Sequence, residues 1–297
     1  MTAYMDHKDL ANETISDDRA REIADGAHRV LDLIARTEFT SGREEGSVTL
    51  LAATKTRDVG EIMAAIDAGV HMIGENRPQE VIAKIDGLRY ACLQRGIVLG
   101  ASDMQTVASL DETDDPEALD RLPLHLIGQL QSNKIGKMLP DVNTIESVDS
   151  FELAEKIARR AAAREQTVGV LLEVNESGEP TKSGCAPDEA FELALRIAQL
   201  EGLELQGLMT VGAHVDDERE IRRGFAHLRD VRDRVRDSDA EGTATCVELS
   251  MGMSGDMTYA IDEGATIVRI GTAIFGARPV KGAFEPPTEE ELPAEMR

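Results

Sequence analysis

One lysine in this sequence stands where covalent chemistry is possible. Lys55 follows residues 50–53, an apolar run of small and aliphatic side chains, and a helical pattern begins at Asp58. Such a run is typical of a strand buried on both faces, and barrel enzymes carry their reactive groups at the carboxyl ends of such strands. For a lysine taken alone, a side chain that merely extends into solvent is the commoner case, so both interpretations stay open here.

The reaction that such a lysine could perform is Schiff base formation. A free lysine amine has a pKa of ~10.4 and is protonated at neutral pH. Partial desolvation at a strand mouth lowers this pKa and leaves an amine that attacks an aldehyde. If Lys55 is reactive, its expected ligand therefore carries an aldehyde.

Hydroxyl and glycine residues late in the sequence could bind a phosphate. Ser254 follows the seventh predicted strand, and Gly271 and Thr272 follow the eighth. Barrels that bind phosphorylated ligands often hold the phosphate between these two loops, on backbone N–H groups at a helix N-terminus. Ser254 is predicted to be the N-cap of the next helix, and Gly271 permits close approach of the backbone. A purely structural role for this set remains an alternative.

The two halves of this chemistry point to one ligand. Lys55 supplies a nucleophilic amine, and the loops after the last two strands supply a cradle for a dianion. An aldehyde that also carries a phosphate satisfies both, and pyridoxal 5′-phosphate is the predicted cofactor. Arg269 lies in the apolar eighth strand without a neighbouring carboxylate, so it needs a buried partner from elsewhere in the chain.

Other polar residues follow predicted strands with less definite roles. Asn76, after the second strand, either lines the barrel mouth or caps the helix that begins at Arg77, and the two roles are compatible. His125 is embedded in the apolar third strand, where a hydrogen-bonded core histidine is favoured over a catalytic one. The sequence gives no roles to a further group expected near the mouth: Gln129, Asn133 and Lys134.

A long loop, residues 173–185, follows the fifth predicted strand. Long loops on a rigid scaffold are often lids or binding loops. Lys182 and Ser183 could reach an anion or a partner, and a solvated loop is an equal alternative.

Short apolar segments alternate with amphipathic segments along most of the chain. A first helix is predicted from Asp17 to about Arg36. The predicted strands are 48–54, 70–73, 124–127, 143–147, 168–174, 205–210, 245–250 and 266–270, and the predicted helices between them are 58–67, 77–86, 132–139, 150–164, 187–200, 216–237 and 255–262. Eight strands separated by single helices predict an α/β fold, a single parallel (β/α)8 TIM barrel. An open doubly wound sheet is the competitor, slightly weakened by the missing GxGxxG motif.

Composition limits the function classes. The chain has 297 residues, with 56 acidic and 32 basic side chains and a net charge of −24. This charge disfavours nucleic acid and anionic membranes as partners. Three widely spaced cysteines without a CxxC pair predict neither a disulfide framework nor a metal site. The N-terminus has no signal-peptide pattern and no run is long enough for a membrane span, so a cytoplasmic protein is expected.

Three regions are predicted along the chain. Residues 1–15 are expected to form a flexible tail, residues 16–280 a barrel that binds the cofactor, and residues 281–297 a disordered acidic tail. Residues 88–122 break the alternation of strands and helices. They are predicted to be an acidic insertion on the side away from the site, with room for a short helix.

Several motifs match a known family in the family's order. They are AATKT around Lys55, GENRPQE (74–80), HLIGQLQSNK (125–134), VNESGEPTKSG (174–184), GLMT (207–210), LSMGMSGD (249–256) and VRIGTAIFG (268–276). On these motifs, which cover most of the predicted barrel, the chain resembles the YggS/PROSC family of pyridoxal phosphate homeostasis proteins. One departure is Leu124, where the family often has an aromatic residue.

The resemblance implies a barrel similar to the N-terminal domain of alanine racemases, with pyridoxal phosphate held as a Schiff base on Lys55. It also implies that Ser254, Gly271 and Thr272 contact the phosphate and that Asn76 lines the site. Arg269 is implied to face the pyridine nitrogen. A cation there keeps this nitrogen unprotonated and weakens the electron sink that carbanion chemistry needs.

The resemblance therefore implies a protein of vitamin B6 homeostasis that holds and hands over the cofactor with little or no catalysis and no catalytic residue of its own. Pyridoxal-phosphate-dependent apoenzymes are the implied recipients. A regulatory protein that merely retains the cofactor is not separable from this by sequence.

The alternative is an amino-acid racemase, which needs a second acid/base on the opposite face of its substrate. In alanine racemases this group is a tyrosine from a C-terminal β-domain of the partner subunit. The last predicted strand ends near Ile270 and the sequence ends at Arg297, which leaves no room for such a domain. The tyrosines Tyr4, Tyr90 and Tyr259 lie outside the predicted site. A monomer that is not a racemase is therefore expected.

Overall fold

The computed structural model describes residues 9–101, 120–179, 183–212, 215 and 217–277. Its strands in chain order are β1 (Thr49–Ala53), β2 (Met72–Glu75), β3 (Ile97–Leu99), β4 (Asp120–Leu122), β5 (Leu124–Leu126), β6 (Thr144–Val148), β7 (Val168–Glu173), β8 (Leu203–Met209), β9 (Glu248–Ser250) and β10 (Ile267–Ile270). Eight of them close into a parallel barrel in the order β1-β10-β9-β8-β7-β6-β5-β2. The predicted barrel is confirmed, and the open sheet is not formed.

Helices surround the barrel. They are α1 (Asp17–Thr40), α2 (Val59–Asp67), α3 (Pro78–Leu93), α4 (Ile135–Met138), α5 (Phe151–Ala162), α6 (Ala190–Ala198), α7 (Glu218–Asp237), α8 (Met257–Asp262) and α9 (Thr272–Phe275), with a 3₁₀ turn at Pro187–Glu189. Local capping fixes several of their first residues. The Ser16 side chain accepts from the Arg19 N–H, and Asp58 forms a reciprocal capping box with Glu61 at the start of α2.

Amphipathic helices pack their apolar faces on strands that are buried along nearly their whole length. In α5, for example, Ala154, Ile157, Ala158 and Ala161 are buried while the polar side chains between them face outward. Small and branched aliphatic residues thus build most of the core, in which Phe225 and Phe275 are also buried. Within the described ranges, each helix is too short or too polar to cross a bilayer.

The segment predicted as an insertion differs from the prediction at its start. Helix α3 continues to Leu93, so residues 88–93 belong to a barrel helix. The strands β3 and β4 then pair as a separate two-stranded parallel sheet. Since β4 runs almost directly into β5, this sheet lies at the amino end of the barrel. The rest of the predicted insertion, residues 102–119, falls outside the described residues.

Residues 9–15 lie against α2. Leu10 is buried, its carbonyl accepts from the Val59 N–H, and the Asn12 carbonyl accepts from the Gly60 N–H. A Cβ atom at Gly60 would come 2.7 Å from the Glu13 carbonyl oxygen. This part of the expected flexible tail is therefore hydrogen-bonded to the barrel helices.

Candidate functional site

Neighbouring strands bring the predicted site residues together. In the barrel order, β9, β10, β1 and β2 are consecutive, and their carboxyl ends carry Ser254, Gly271 with Thr272, Lys55 and Asn76 respectively. The register aligns Ala52 with Ile270 and Ala53 with Gly74, so the residues that follow these strands leave the barrel side by side.

These side chains line one pocket of about 640 Å³, a volume typical of sites for small molecules and cofactors. All six predicted residues are part of its lining: Lys55, Asn76, Ser254, Arg269, Gly271 and Thr272. The charged groups in the described lining are Lys55, Arg269 and Asp256, with a net charge of +1. The pocket is therefore locally cationic in a chain of net charge −24.

The backbone beside Lys55 is strained. Thr56 has φ 61°, in the left-handed region, which costs a β-branched residue on the order of 1–3 kcal/mol. The lysine itself is half-buried at the end of β1. Strain of this kind persists only where surrounding contacts hold the chain, and it is concentrated at functional sites.

A buried cluster holds Thr54, the residue before Lys55. The Lys84 ammonium, 0% exposed, lies 2.5 Å from Glu75 Oε1 and donates to the Thr54 carbonyl at 3.1 Å. The Thr54 hydroxyl donates to the same Glu75 oxygen at 2.6 Å. Because Thr54 precedes Lys55 and Glu75 precedes Asn76, the cluster fixes two pocket residues through their neighbours.

Glu80 completes this cluster. Burial raises the pKa of Glu80, and the nearby Glu75 carboxylate raises it further. Glu75 Oε2 and Glu80 Oε2 are buried and receive no hydrogen bond from the described part of the chain. If Glu80 is protonated, the charged groups of the cluster are the Lys84 ammonium and the Glu75 carboxylate, and their charges cancel. The amino-acid sequence offered one indication that Lys84 is buried. Lys84 lies on the same helix face as the apolar residues Val81 and Leu88.

Asn76 is held by close packing. Helix α3 begins at Pro78 with Arg77 as its N-cap, so the alternative in which Asn76 caps this helix is wrong. A Cβ atom at Gly128 would come 2.2 Å from the Asn76 carbonyl oxygen and 2.9 Å from its Oδ1. Gly128 therefore leaves the room that Asn76 occupies, a role that sequence reasoning missed.

A carboxylate shapes the turn that contains Ser254. Asp256 Oδ1 accepts from the Met253 N–H at 2.6 Å. Helix α8 begins at Met257, and its N-cap is Asp256. The prediction that Ser254 caps this helix is therefore wrong, because the closed turn delays the helix by two residues. Ser254 instead lines the pocket.

Arg269 has the buried partners that its sequence position required. Its Nη1 donates to the Ser250 hydroxyl and its Nη2 to the Thr210 carbonyl, each at 2.7 Å, and Nη1 lies 3.9 Å from Glu146 Oε2. Burial lowers the pKa of this guanidinium, although arginine keeps its charge at neutral pH.

Glu146 links Arg269 to His125. Its Oε1 lies 2.7 Å from His125 Nδ1, and its Oε2 accepts from the Ser250 hydroxyl at 2.6 Å. Burial alone would raise the pKa of Glu146, but the hydrogen bond from His125 and the charges of His125 and Arg269 hold it below its usual range. His125 is thus confirmed as a hydrogen-bonded core residue.

The other polar residues that were predicted near the mouth and that the structure describes lie apart from this pocket. Gln129 donates to the Ser183 hydroxyl and lines a smaller cavity of about 270 Å³ with Asp149 and Lys156. Asn133 and Lys134 lie in the turn before α4. Lys182 falls outside the described residues.

A cavity of about 700 Å³ lies on the outside of the barrel, between α1, α2 and α3. Its lining is mainly alanine and other apolar residues and includes the exposed Tyr90. The described lining contains no carboxyl end of a barrel strand, so we place the functional site in the pocket that contains Lys55.

Comparisons with known proteins agree with this assignment. Residues 43–279 match the family described as alanine racemase, N-terminal domain. A protein of Aquifex aeolicus named pyridoxal phosphate homeostasis protein is 35% identical over 250 residues, 84% of this chain and 96% of that protein. The chain belongs to the family of pyridoxal phosphate homeostasis proteins. The resemblance that the motifs indicated is thereby confirmed.

Solved structures of similar proteins support the membership in this family. A crystal structure of an unknown protein from Bifidobacterium adolescentis is 65% identical, with a TM-score of 0.84 over 90% of this chain and 100% of that chain. The structure of PipY from Synechococcus elongatus with pyridoxal phosphate bound is 30% identical, with a TM-score of 0.61 over 82% of this chain and 100% of that chain. Helix α1 precedes the residues that the family model matches.

Proposed function

We propose that this protein binds pyridoxal 5′-phosphate through a Schiff base on Lys55 and acts in the homeostasis of this cofactor with little or no catalysis. One observation carries the proposal. An amine, two hydroxyl side chains, a guanidinium and two glycines line a single locally cationic pocket. This donor set fits a ligand with an aldehyde at one end and a phosphate at the other. The bound cofactor in PipY and the names of the curated relatives support the same ligand.

The residues divide between the two ends of the ligand. Lys55 provides the amine for the aldehyde, and the hydroxyls of Ser254 and Thr272 with the N–H groups at Gly271 would hold the phosphate. The first N–H groups of a helix lack partners within the helix, so those at the start of α9 are available to an acceptor. Asn76 would border the ring.

Pyridoxal phosphate supplies an aldehyde that reacts with amines and a ring that withdraws electrons when its nitrogen is protonated. Arg269 opposes that protonation. Its guanidinium is held rigidly by Ser250 and Thr210 and stays charged. A cation facing the ring nitrogen excludes a proton from it, which supports storage of the cofactor over carbanion chemistry.

The pocket also offers little for racemisation. The titratable side chains in its described lining are Lys55, Asp256 and Arg269. Asp256 accepts from the Met253 N–H, and Arg269 is committed to its buried network. Tyr90 lies on the outer cavity, and Tyr259 packs under the Arg222 guanidinium at 4.7 Å. These contacts favour a carrier over a two-base racemase.

The proposal also covers the localisation, oligomeric state and partners of the protein. We place it in the cytoplasm, as a monomer made of one barrel at residues 16–280, with apoenzymes that need pyridoxal phosphate as recipients. Nucleic acid and membranes are not expected as partners, because the net charge of −24 repels polyanions.

Titration of the purified protein with pyridoxal phosphate tests this proposal. We expect a visible absorbance band that saturates with the wild type and is absent in Lys55→Ala, while alanine racemisation by the loaded wild type stays at background. Saturable binding without a visible band would contradict the covalent anchor. Robust racemisation would contradict the carrier role.

A further inference from the structure

Two arginines bond to the far end of the helix that follows the phosphate-binding turn. The last carbonyls of a helix lack partners within it. At the end of α9, the Phe275 carbonyl accepts from Arg19 Nη2 at 2.7 Å and the Gly276 carbonyl accepts from Arg57 Nη2 at 2.9 Å. Arg19 comes from α1 and Arg57 from the loop between β1 and α2, so separate parts of the chain hold this end of α9.

A buried glutamate joins the two arginines. Glu61 Oε1 lies 2.7 Å from Arg19 Nη2 and 3.6 Å from Arg57 Nη1. The Arg57 guanidinium also lies over the Phe275 ring, 5.4 Å from its centroid. We call Arg19, Arg57 and Glu61 the arginine clamp.

Helix α1 also touches α9 directly. A Cβ atom at Gly26 would come 2.5 Å from the Ile274 carbonyl oxygen. No real Cβ tolerates that distance, so Gly26 is required for the two helices to approach this closely. The contact and the clamp together fix the position of α9 against the N-terminal helix.

The clamp connects both ends of the proposed ligand site. Arg57 is two residues beyond Lys55, and α9 begins at Thr272, in the turn proposed to hold the phosphate. We propose that the arginine clamp positions this turn relative to Lys55 and thereby makes the pocket selective for an aldehyde that carries a phosphate. This inference rests on the proposed function. The clamp residues are positioning residues and are not expected to touch the ligand.

The physical reason is the rigidity of the ligand. The aldehyde and the phosphate of pyridoxal phosphate are substituents of one aromatic ring, so both can be held only if the amine and the phosphate turn keep a fixed separation. Displacements of the order of 1 Å are enough to lose such binding. Pyridoxal, which lacks the phosphate, needs the amine but not the turn.

Dissociation constants for pyridoxal phosphate and for pyridoxal, measured by absorbance titration, test the inference. In Arg19→Ala and in Gly26→Ala we expect pyridoxal phosphate to bind about tenfold more weakly and pyridoxal to change by less than about twofold. Thermal denaturation confirms that each variant is folded. If Arg19→Ala does not fold, Arg19→Lys, which keeps a charge and a donor, should show a smaller loss that is still selective for the phosphate.

Two controls separate positioning from general destabilisation. Arg21→Ala removes an exposed arginine of α1 that pairs with Asp18. Arg89→Ala breaks a half-buried ion pair with Asp141 at the amino end of the barrel. Both should leave the ratio of the two constants unchanged. Equal weakening of both ligands in Arg19→Ala, or a selective loss in Arg89→Ala, would overturn the inference. If the wild type binds neither aldehyde, the proposed function itself fails.

Discussion

Glu173 is a buried carboxyl near the barrel mouth whose pKa is raised into the neutral range. It ends β7, is 7% exposed, and has a pKa raised to about 7 by burial and by the Asp149 carboxylate. The Arg269 charge offsets this only partly. At neutral pH the protein therefore holds a carboxyl that is close to its titration midpoint beside the cationic network.

This shift makes the free energy of unfolding depend on pH. The folded state binds the Glu173 proton more tightly than the unfolded state, where the pKa is ~4.3. The stabilising effect of that proton is therefore complete at low pH and is lost as pH rises towards about 7. We expect Glu173→Gln to gain stability relative to the wild type, on the order of 3 kcal/mol, between pH 4.5 and pH 8.

Urea denaturation of the ligand-free protein across this range provides the measurement. Glu45→Gln, at an exposed loop position, is the matched control and should follow the wild type at every pH. A difference between Glu173→Gln and the wild type that stays constant with pH would contradict the raised pKa.

At the scale of elements, the joint between β1, β2 and α3 depends on one buried ion pair. Lys84 on α3 bridges Glu75 at the end of β2 and the Thr54 carbonyl after β1. Removal of one partner leaves the other charge buried and uncompensated. We expect Lys84→Met to lower the free energy of unfolding by about 3–5 kcal/mol.

The control for this change is a lysine in a partly exposed ion pair. Lys156 pairs with Glu152 one turn away on α5, where the Lys156 side chain is 35% exposed and the Glu152 side chain 78% exposed. Lys156→Met should cost less than about 1 kcal/mol. Denaturant unfolding of both variants measures the two losses in the free energy of unfolding. Equal losses in the two variants would show that the buried pair has no special role.

The sequence allowed the barrel to be predicted because each strand is a short apolar run with a helix after it. It also led to the pocket, because residues at the carboxyl ends of parallel strands meet at one end of a barrel. The helix start near Ser254 was predicted two residues too early, because the Asp256 carboxylate accepts a hydrogen bond from the Met253 N–H and closes the turn. The arginine clamp could not be predicted from the sequence, because Arg19 and Phe275 are distant in sequence and meet only in the folded chain.

At the scale of the molecule, the dominant property is the net charge of −24. Repulsion among excess carboxylates favours the expanded chain, and salt screens it over ~10 Å at 0.1 M. We expect the melting temperature to rise when KCl increases from 10 mM to 1 M, by about 2–4 °C for each kcal/mol of repulsion relieved.

Differential scanning calorimetry at fixed pH measures this rise. An equal osmolality of sucrose serves as the control for solute effects without screening, and the salt effect should exceed it at low concentrations. A melting temperature that falls with KCl would show that favourable ion pairs outweigh the repulsion.

The central claim is that Lys55 is the covalent anchor for pyridoxal phosphate. The most direct test is borohydride reduction of the loaded protein followed by mass mapping of its peptides. We expect the visible band to disappear and a single phosphopyridoxyl adduct to appear on Lys55. An adduct on another lysine, or no adduct after loading with excess pyridoxal phosphate, would contradict the claim.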